Sequence, residues 1–168
     1  MSATTSKLIR KRINDMLLTI DEQVRLIDAE IKNRLRGSSI WRPKVELLDS
    51  IPGVGNVTMA TMPAKCPELG QLNRRQIAKL IGVAPLAHDS GQHRGRRFIW
   101  GGRADIRAVL YMATVSAIRC NPIIRAFANR LAELHKPPKV VIVACMRKLL
   151  TIMNVMIRDH SPWNPSAA

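Results

Sequence analysis

The chain of 168 residues suits one ordinary domain, or a smaller domain with an appendage. It is 46% apolar but only 4% aromatic, so its core must be aliphatic and Met-rich, and Lys and Arg total 27 against 12 acids, a net of +15. That charge points to a polyanion, whose condensed counterions are released on binding, with a membrane surface as the other common partner. Three cysteines (Cys66, Cys120, Cys145) without a CxxC spacing, and four scattered histidines, argue against a disulfide framework or a zinc site and for a reducing compartment. Residues 1–40 carry eight basic and five acidic side chains, and residues 41–168 nineteen and seven, so the globular part carries most of the field.

In chain order, the spacing first predicts one long helix over 6–36. Ile13, Leu17, Ile20, Val24, Ile27 and Ile31 alternate by four and three, an a/d seam of almost three heptads. Asp21, Asp28 and Glu30 fall at the flanking e and g positions. The helix either lies against its own domain or dimerises as a coiled coil. The run is uninterrupted and its far face charged, which favours the coiled coil. Gly37 is the expected C-cap. A short helix follows, with Pro43 in its first turn, then "IPGVGNVTMATM", a turn-rich link over 67–73, and a helix over 74–82 ending at Gly82. Residues 83–103 show no helical period, although "RFIW" reads as a brief extended piece. Helices are expected over 103–120, from Pro122 to about His135, and over about 139–158. The last is the most apolar, yet Arg147 and Lys148 split its run, so it reads as a core helix and not a membrane span. "SPWNPSAA" reads as a frayed tail. The expected fold class is all-α, in three parts: 1–40 for dimerisation, 41–160 as the body and 161–168 as a flexible tail.

"LLDSIPGVGNVTMATM" reads as helix, Gly-x-Gly hairpin, helix. Gly53 and Gly55 allow backbone angles closed to other residues and let the chain approach a phosphate. Val54 would plug the turn into the core. The next helix then offers its first N–H groups and its dipole to the anion. This resembles the helix-hairpin-helix pattern, although Asn56 and Thr58 follow where a lysine is usual. A plain helical hairpin remains the other reading.

"HDSGQHRGRRFIWGGR" (88–103) sets Ser90 ahead of Arg94, Arg96, Arg97, Arg103 and Arg107. A serine hydroxyl attacks only when a base or a strong field activates it. An arginine fork can hold two oxygens of the phosphoryl group at once. Gly91 and Gly95 would admit a nucleic-acid backbone, Gly101-Gly102 would hinge into the following helix, and His88 and His93 are proton carriers by chemistry. Asp-Ser-Gly is also a common turn, and basic glycine-rich loops often only bind.

Three spans together, "IPGVGNVTMA", "IAKLIGVAPLAHDSGQHRGRRFIWGGRADIRAVLYMAT" and "KVVIVACMRKLLTIMNVMIRD", resemble the C-terminal transposase domain of a family of bacterial insertion-sequence transposases. These join an N-terminal RNase H-like Asp-Glu-Asp-Asp domain to a C-terminal serine domain, and are also called bridge-RNA-guided recombinases. The resemblance covers about residues 45–158, and 6–40 resembles the coiled-coil linker before that domain. It implies that Ser90 is the nucleophile forming a covalent link to DNA, and that Ser90, Gly91, Gly101, Gly102, Arg103 and Arg107 occupy matching motif positions. It further implies a cytoplasmic, nucleoid-associated protein, a homo-oligomer through 6–36, DNA and a guide RNA as partners, and no membrane. The divalent metal, such as magnesium, would belong to the Asp-Glu-Asp-Asp domain, with no cofactor held by this chain. The acids present do not make up that set, since five of twelve lie on the first helix. The chain thus reads as the C-terminal half of a transposase, with an Asp-Glu-Asp-Asp domain possible in trans. By chemistry and resemblance together, the catalytic candidates are Ser90, Arg103 and Arg97. The DNA-binding candidates are Gly53, Val54, Gly55, Gly91, Arg94, Arg96, Gly101, Gly102 and Arg107. The other readings are a non-catalytic nucleic-acid-binding and dimerising module, or a basic helical protein of a membrane surface or ribosome.

Overall fold

A computed structural model describes residues 3–165 apart from 88, 91, 92 and 96, with the backbone alone at 3–5, 89, 90, 93 and 94. Seven helices are present among the described residues: α1 (Ala3–Gly37), α2 (Arg42–Asp49), α3 (Asn56–Lys65), α4 (Arg74–Ile81), α5 (Ala104–Cys120), α6 (Pro122–Glu133) and α7 (Pro138–Arg158). The all-α expectation holds, with boundaries within a few residues. The two strands, β1 (Asp89–Ser90) and β2 (His93–Arg94), are two residues each.

Local chemistry explains where the helices stop and start. Asn73 and Gln76 form a reciprocal capping box at the start of α4, and Gly82 ends it at φ 78°, the left-handed angle that favours glycine. The buried Asn121 ends α5 and starts α6, where its side chain accepts the Ile123 and Ile124 amides at 3.0 and 3.2 Å. Its Nδ2 has no hydrogen-bond partner among the described residues. Pro122 and Pro138 open α6 and α7 where a missing N–H costs nothing.

α7 is the hub, packing against α2, α4, α5 and α6. Cys145, Met146, Leu149, Leu150 and Met153 on it are fully buried. A buried aliphatic side chain of this size stabilises by about 1.5–3 kcal/mol. By length and composition α7 could cross a membrane, but half of its most apolar stretch is buried within the molecule. Asn154, also on α7, fixes the 67–73 link. Its Oδ1 accepts the Gly70 amide and its Nδ2 donates to the Leu72 carbonyl, both at 2.8 Å. Beyond α7, the expected tail is partly tethered. Trp163 packs on the core and its amide donates to Ser50 Oγ at 2.9 Å.

α1 stands apart from this body. Its C-terminal end packs on α2 and α3, and Leu35 is its one residue in the core cluster. All six seam residues, from Ile13 to Ile31, are exposed.

Replacing Asn154 with Ala should leave a half-buried amide and carbonyl without this partner. We expect a loss of about 1–3 kcal/mol, read from the urea midpoint. A variant as stable as wild type would show that the link does not depend on this side chain.

Candidate active site and nucleic-acid interface

Residues 83–103 are expected as an irregular loop, and the structure gives them a ladder. Leu86 and Phe98 form one bridge, with N–O distances of 2.8 and 3.4 Å. Further out, Asp89 pairs with Arg94 and Ser90 with His93, antiparallel. The segment is therefore an arm with Ser90 in its outermost described pair. The missed signal was "SGQH": a glycine first in a two-residue connection between extended segments favours a hairpin. Of the candidate residues on the arm, His88, Gly91 and Arg96 lie outside the described residues.

The arm is closed at its base by backbone packed on backbone. Gly101 and Gly102 have φ of 70° and 68°. A Cβ on Gly102 would strike the Gly82 backbone, and one on Gly82 would strike the Gly101 carbonyl. The Arg103 amide donates to the Leu80 carbonyl at 3.1 Å. Gly101-Gly102 thus locks the arm's exit to its entry at the end of α4.

Two of the candidate arginines serve this base. Arg103 donates to both carboxylate oxygens of Glu68, at 2.8 and 2.5 Å, and to the Lys65 carbonyl at 2.8 Å. Arg107 donates to the Gly101 and Ile81 carbonyls. Beside them, Lys65 pairs with Asp105 at 2.6 Å. Asp105 also accepts the Ile106 amide, so the amino end of α5 already has a protein carboxylate. The Arg103 fork holds the Glu68 carboxyl down to about 2. Beneath it, burial and then the Glu68 charge push the Cys66 thiol up. Glu68 was missed from sequence, since nothing local ties it to a residue 35 positions away.

The other candidates lie elsewhere. Arg94 is on β2, while Arg97 is exposed and lines a groove over α7. At the hairpin, Gly53 has φ 91° and turns its bare face to α5, where a Cβ would lie 2.5 Å from the Ala117 Cα. Val54 is buried in the core, as expected of the turn's plug. Gly55 precedes α3 with no cap from its side and open space around it. Fourteen residues of α5 separate Arg103 from Ala117, about 21 Å at 1.5 Å per residue. The hairpin and the arm's base therefore sit at opposite ends of α5 and are not brought together.

A basic helical body with a backbone-locked arm defines the class structurally. Residues 45–129 match the model of the transposase IS116/IS110/IS902 family, and the chain belongs to that family. It is 25% identical over 160 residues to the pilin gene-inverting protein of Moraxella bovis, covering 93% of this chain and 50% of that protein. The figures for the pilin gene-inverting protein of Moraxella lacunata are the same. With the insertion element IS900 uncharacterized 42 kDa protein of Mycobacterium paratuberculosis, identity is 26% over 162 residues, covering 92% and 39%. The chain thus spans half or less of the length of these relatives.

The depressed Glu68 value carries a pH signature. The Arg103–Glu68 pair contributes fully above the ordinary carboxyl value of 4.5, fades as pH falls below it, and is lost below about 2. We expect Glu68→Gln to be less stable than wild type at neutral pH, with the gap closing between about pH 5 and 2 in urea unfolding. A gap that stays constant across that range would rule out the pairing as its source.

Proposed function

We propose that the chain is the C-terminal serine domain of a DNA transposase or recombinase, with Ser90 as nucleophile. The observation that supports this best is the arm, which sets Ser90 in its outermost described pair above a locked base. The Ser90 hydroxyl oxygen attacks a DNA phosphorus. An Oγ–P bond forms as the bond from phosphorus to a deoxyribose oxygen breaks. The serine proton passes to a base on the arm, assigned to His93 as the residue paired with Ser90. The leaving oxygen takes up a proton from solvent.

The phosphoryl charge falls to Arg94, Arg96 and Arg97 in this reading. Arg103 and Arg107 become positioning residues, because their donors already serve Glu68 and the carbonyls at the base. Gly55 and the first amides of α3 are assigned a second phosphate. DNA laid along α5 would meet both points, since about 21 Å spans roughly six phosphate steps on one strand.

Residues 1–40 are read as the self-associating segment, 41–160 as the body, and 161–168 as a terminal extension. The metal-binding Asp-Glu-Asp-Asp partner, the guide RNA and a cytoplasmic setting belong to the same reading. Among the described residues no group of three or more His, Cys, Asp or Glu side chains is placed to hold a metal ion. No residue here is therefore assigned to a metal, and no step runs through one.

The test is to incubate target DNA with wild type and Ser90→Ala, alone and with a metal-binding Asp-Glu-Asp-Asp domain in trans. A serine-dependent covalent adduct on denaturing gels is the expected result. No adduct under either condition sinks the nucleophile, and retained binding would then leave a non-catalytic nucleic-acid module. Gly55→Ala probes the hairpin, because its new methyl meets open space where one at Gly53 would strike α5. We expect about fivefold weaker DNA binding, the worth of one hydrogen bond of about 1 kcal/mol. Affinity should also fall steeply with salt, and a flat salt titration would overturn the electrostatic account.

A further inference from the structure

Among the described residues, two apolar surfaces of the body and its appendage are left largely uncovered, although Ile31 at the end of the first also lines a small pocket against α2 and α3. One is the seam of α1, with Ile13, Leu17, Ile20, Val24, Ile27 and Ile31 all exposed. The other is a groove of about 1770 Å³ running over α7, between the arm, α6 and the C-terminal residues. Val83, Val140, Val143, Ile152 and Val155 give it an aliphatic floor.

Their charges are opposite. Residues 13–31 hold five acids (Asp15, Asp21, Glu22, Asp28, Glu30) and one base, Arg25. Among the described residues the groove is lined by five cations, Arg74, Arg97, Lys139, Arg147 and Lys148, and by no acid. Lengths also agree. The 19-residue acidic stretch is about 28 Å long and the 21-residue α7 about 31 Å.

Self-pairing of α1 is poor by the same count. The seam is flanked by Asn14, Asp21 and Asp28 on one side and by Met16, Gln23 and Glu30 on the other. In a parallel or antiparallel pair these flanks offer no cation to an opposing acid, and like charges across a seam repel. Glu30 is served by Arg34 of its own helix at 2.6 Å, whereas among the described residues the exposed Asp21 and the half-buried Asp28 make no such pair and gain most from a basic rim. Nucleic acid is the less suitable occupant. The floor is mainly aliphatic, and Phe127, one of its few rings, is covered by Arg130 and Lys148 at 5.2 and 5.4 Å where a base would stack.

We propose that the acidic, apolar face of α1 from a second copy of the chain docks into the α7 groove, with Asp21 and Asp28 against Lys139 and Arg147. This rests on the reading of 1–40 as a self-associating segment and names its receptor.

The test is sedimentation of the full chain over a concentration series, with circular dichroism to confirm folding. Lys139→Glu/Arg147→Glu should weaken self-association at least tenfold, and so should Asp21→Lys/Asp28→Lys. Joining the two pairs in one chain should restore it, and that recovery cannot come from a folding defect. A groove variant that associates like wild type overturns the docking but leaves α1 self-association standing. So does a wild-type and Asp21→Lys/Asp28→Lys mixture that associates more tightly than either alone, the mark of α1 pairing with α1. A groove variant that keeps its association but loses DNA affinity makes the groove a nucleic-acid track and ends the docking proposal. A wild type that stays monomeric throughout overturns the self-association reading and the docking with it.

Discussion

The closure of glycine on glycine at the foot of the arm is the contact on which the candidate site depends. Gly82 and Gly102 both take left-handed angles, and each leaves no room for a Cβ against the other's neighbourhood. The end of α4, both ends of the arm and the start of α5 meet there. The contact is steric, so salt does not screen it. The Arg103–Glu68 pair beside it has side chains about one-third exposed, so solvent and salt screen it and its contribution is modest. The glycines therefore set the position of the arm, and the ion pair refines it. On the proposed reading this division matters, because the forces that would hold DNA weaken with salt while the frame that carries Ser90 does not.

The same division sorts the arginines. In the sequence they form one cluster around a serine. In the fold they face two ways: Arg103 and Arg107 are spent on a carboxylate and on carbonyls within the body, while Arg97 is on the surface. Glu68 offsets the charge that Arg103 would present to a polyanion, while Arg107 keeps its charge but has a donor committed to carbonyls. Counting basic residues overstates the clamp.

What the sequence made legible was what neighbouring residues decide. The 3–4 periodicity of α1, the Asn73/Gln76 box, the proline-led starts of α6 and α7 and the glycine stop at 82 all act within a turn or two, and each was readable. Contacts between distant segments were not. Gly53 looks free to face a phosphate, yet its bare side is taken by Ala117, 64 residues on. Arg103 looks like a phosphate ligand because an arginine beside glycines and a serine reads the same whether its partner is DNA or Glu68. The arm reads as an irregular loop in the sequence because its pairs are few and short, with no alternation long enough to register as a strand.

A net charge of +15 also hides a segregation. Removing the −4 of residues 13–31 leaves +19 on the rest of the chain, so this stretch is a long local anion in a strongly basic molecule. If that stretch occupies the α7 groove of a second copy, it neutralises cations that DNA would otherwise draw. Docking and DNA binding then share the rim, and Arg97 belongs to both, as a lining residue of the groove and a member of the arm. Assembly would be coupled to substrate through a few side chains and not through a change of fold. The sign of that coupling follows from geometry. Where α1 and DNA contact the same cation they compete. Where α1 takes Lys139 and Arg147 on α7 and DNA takes the arm, the two use separate cations and can bind together.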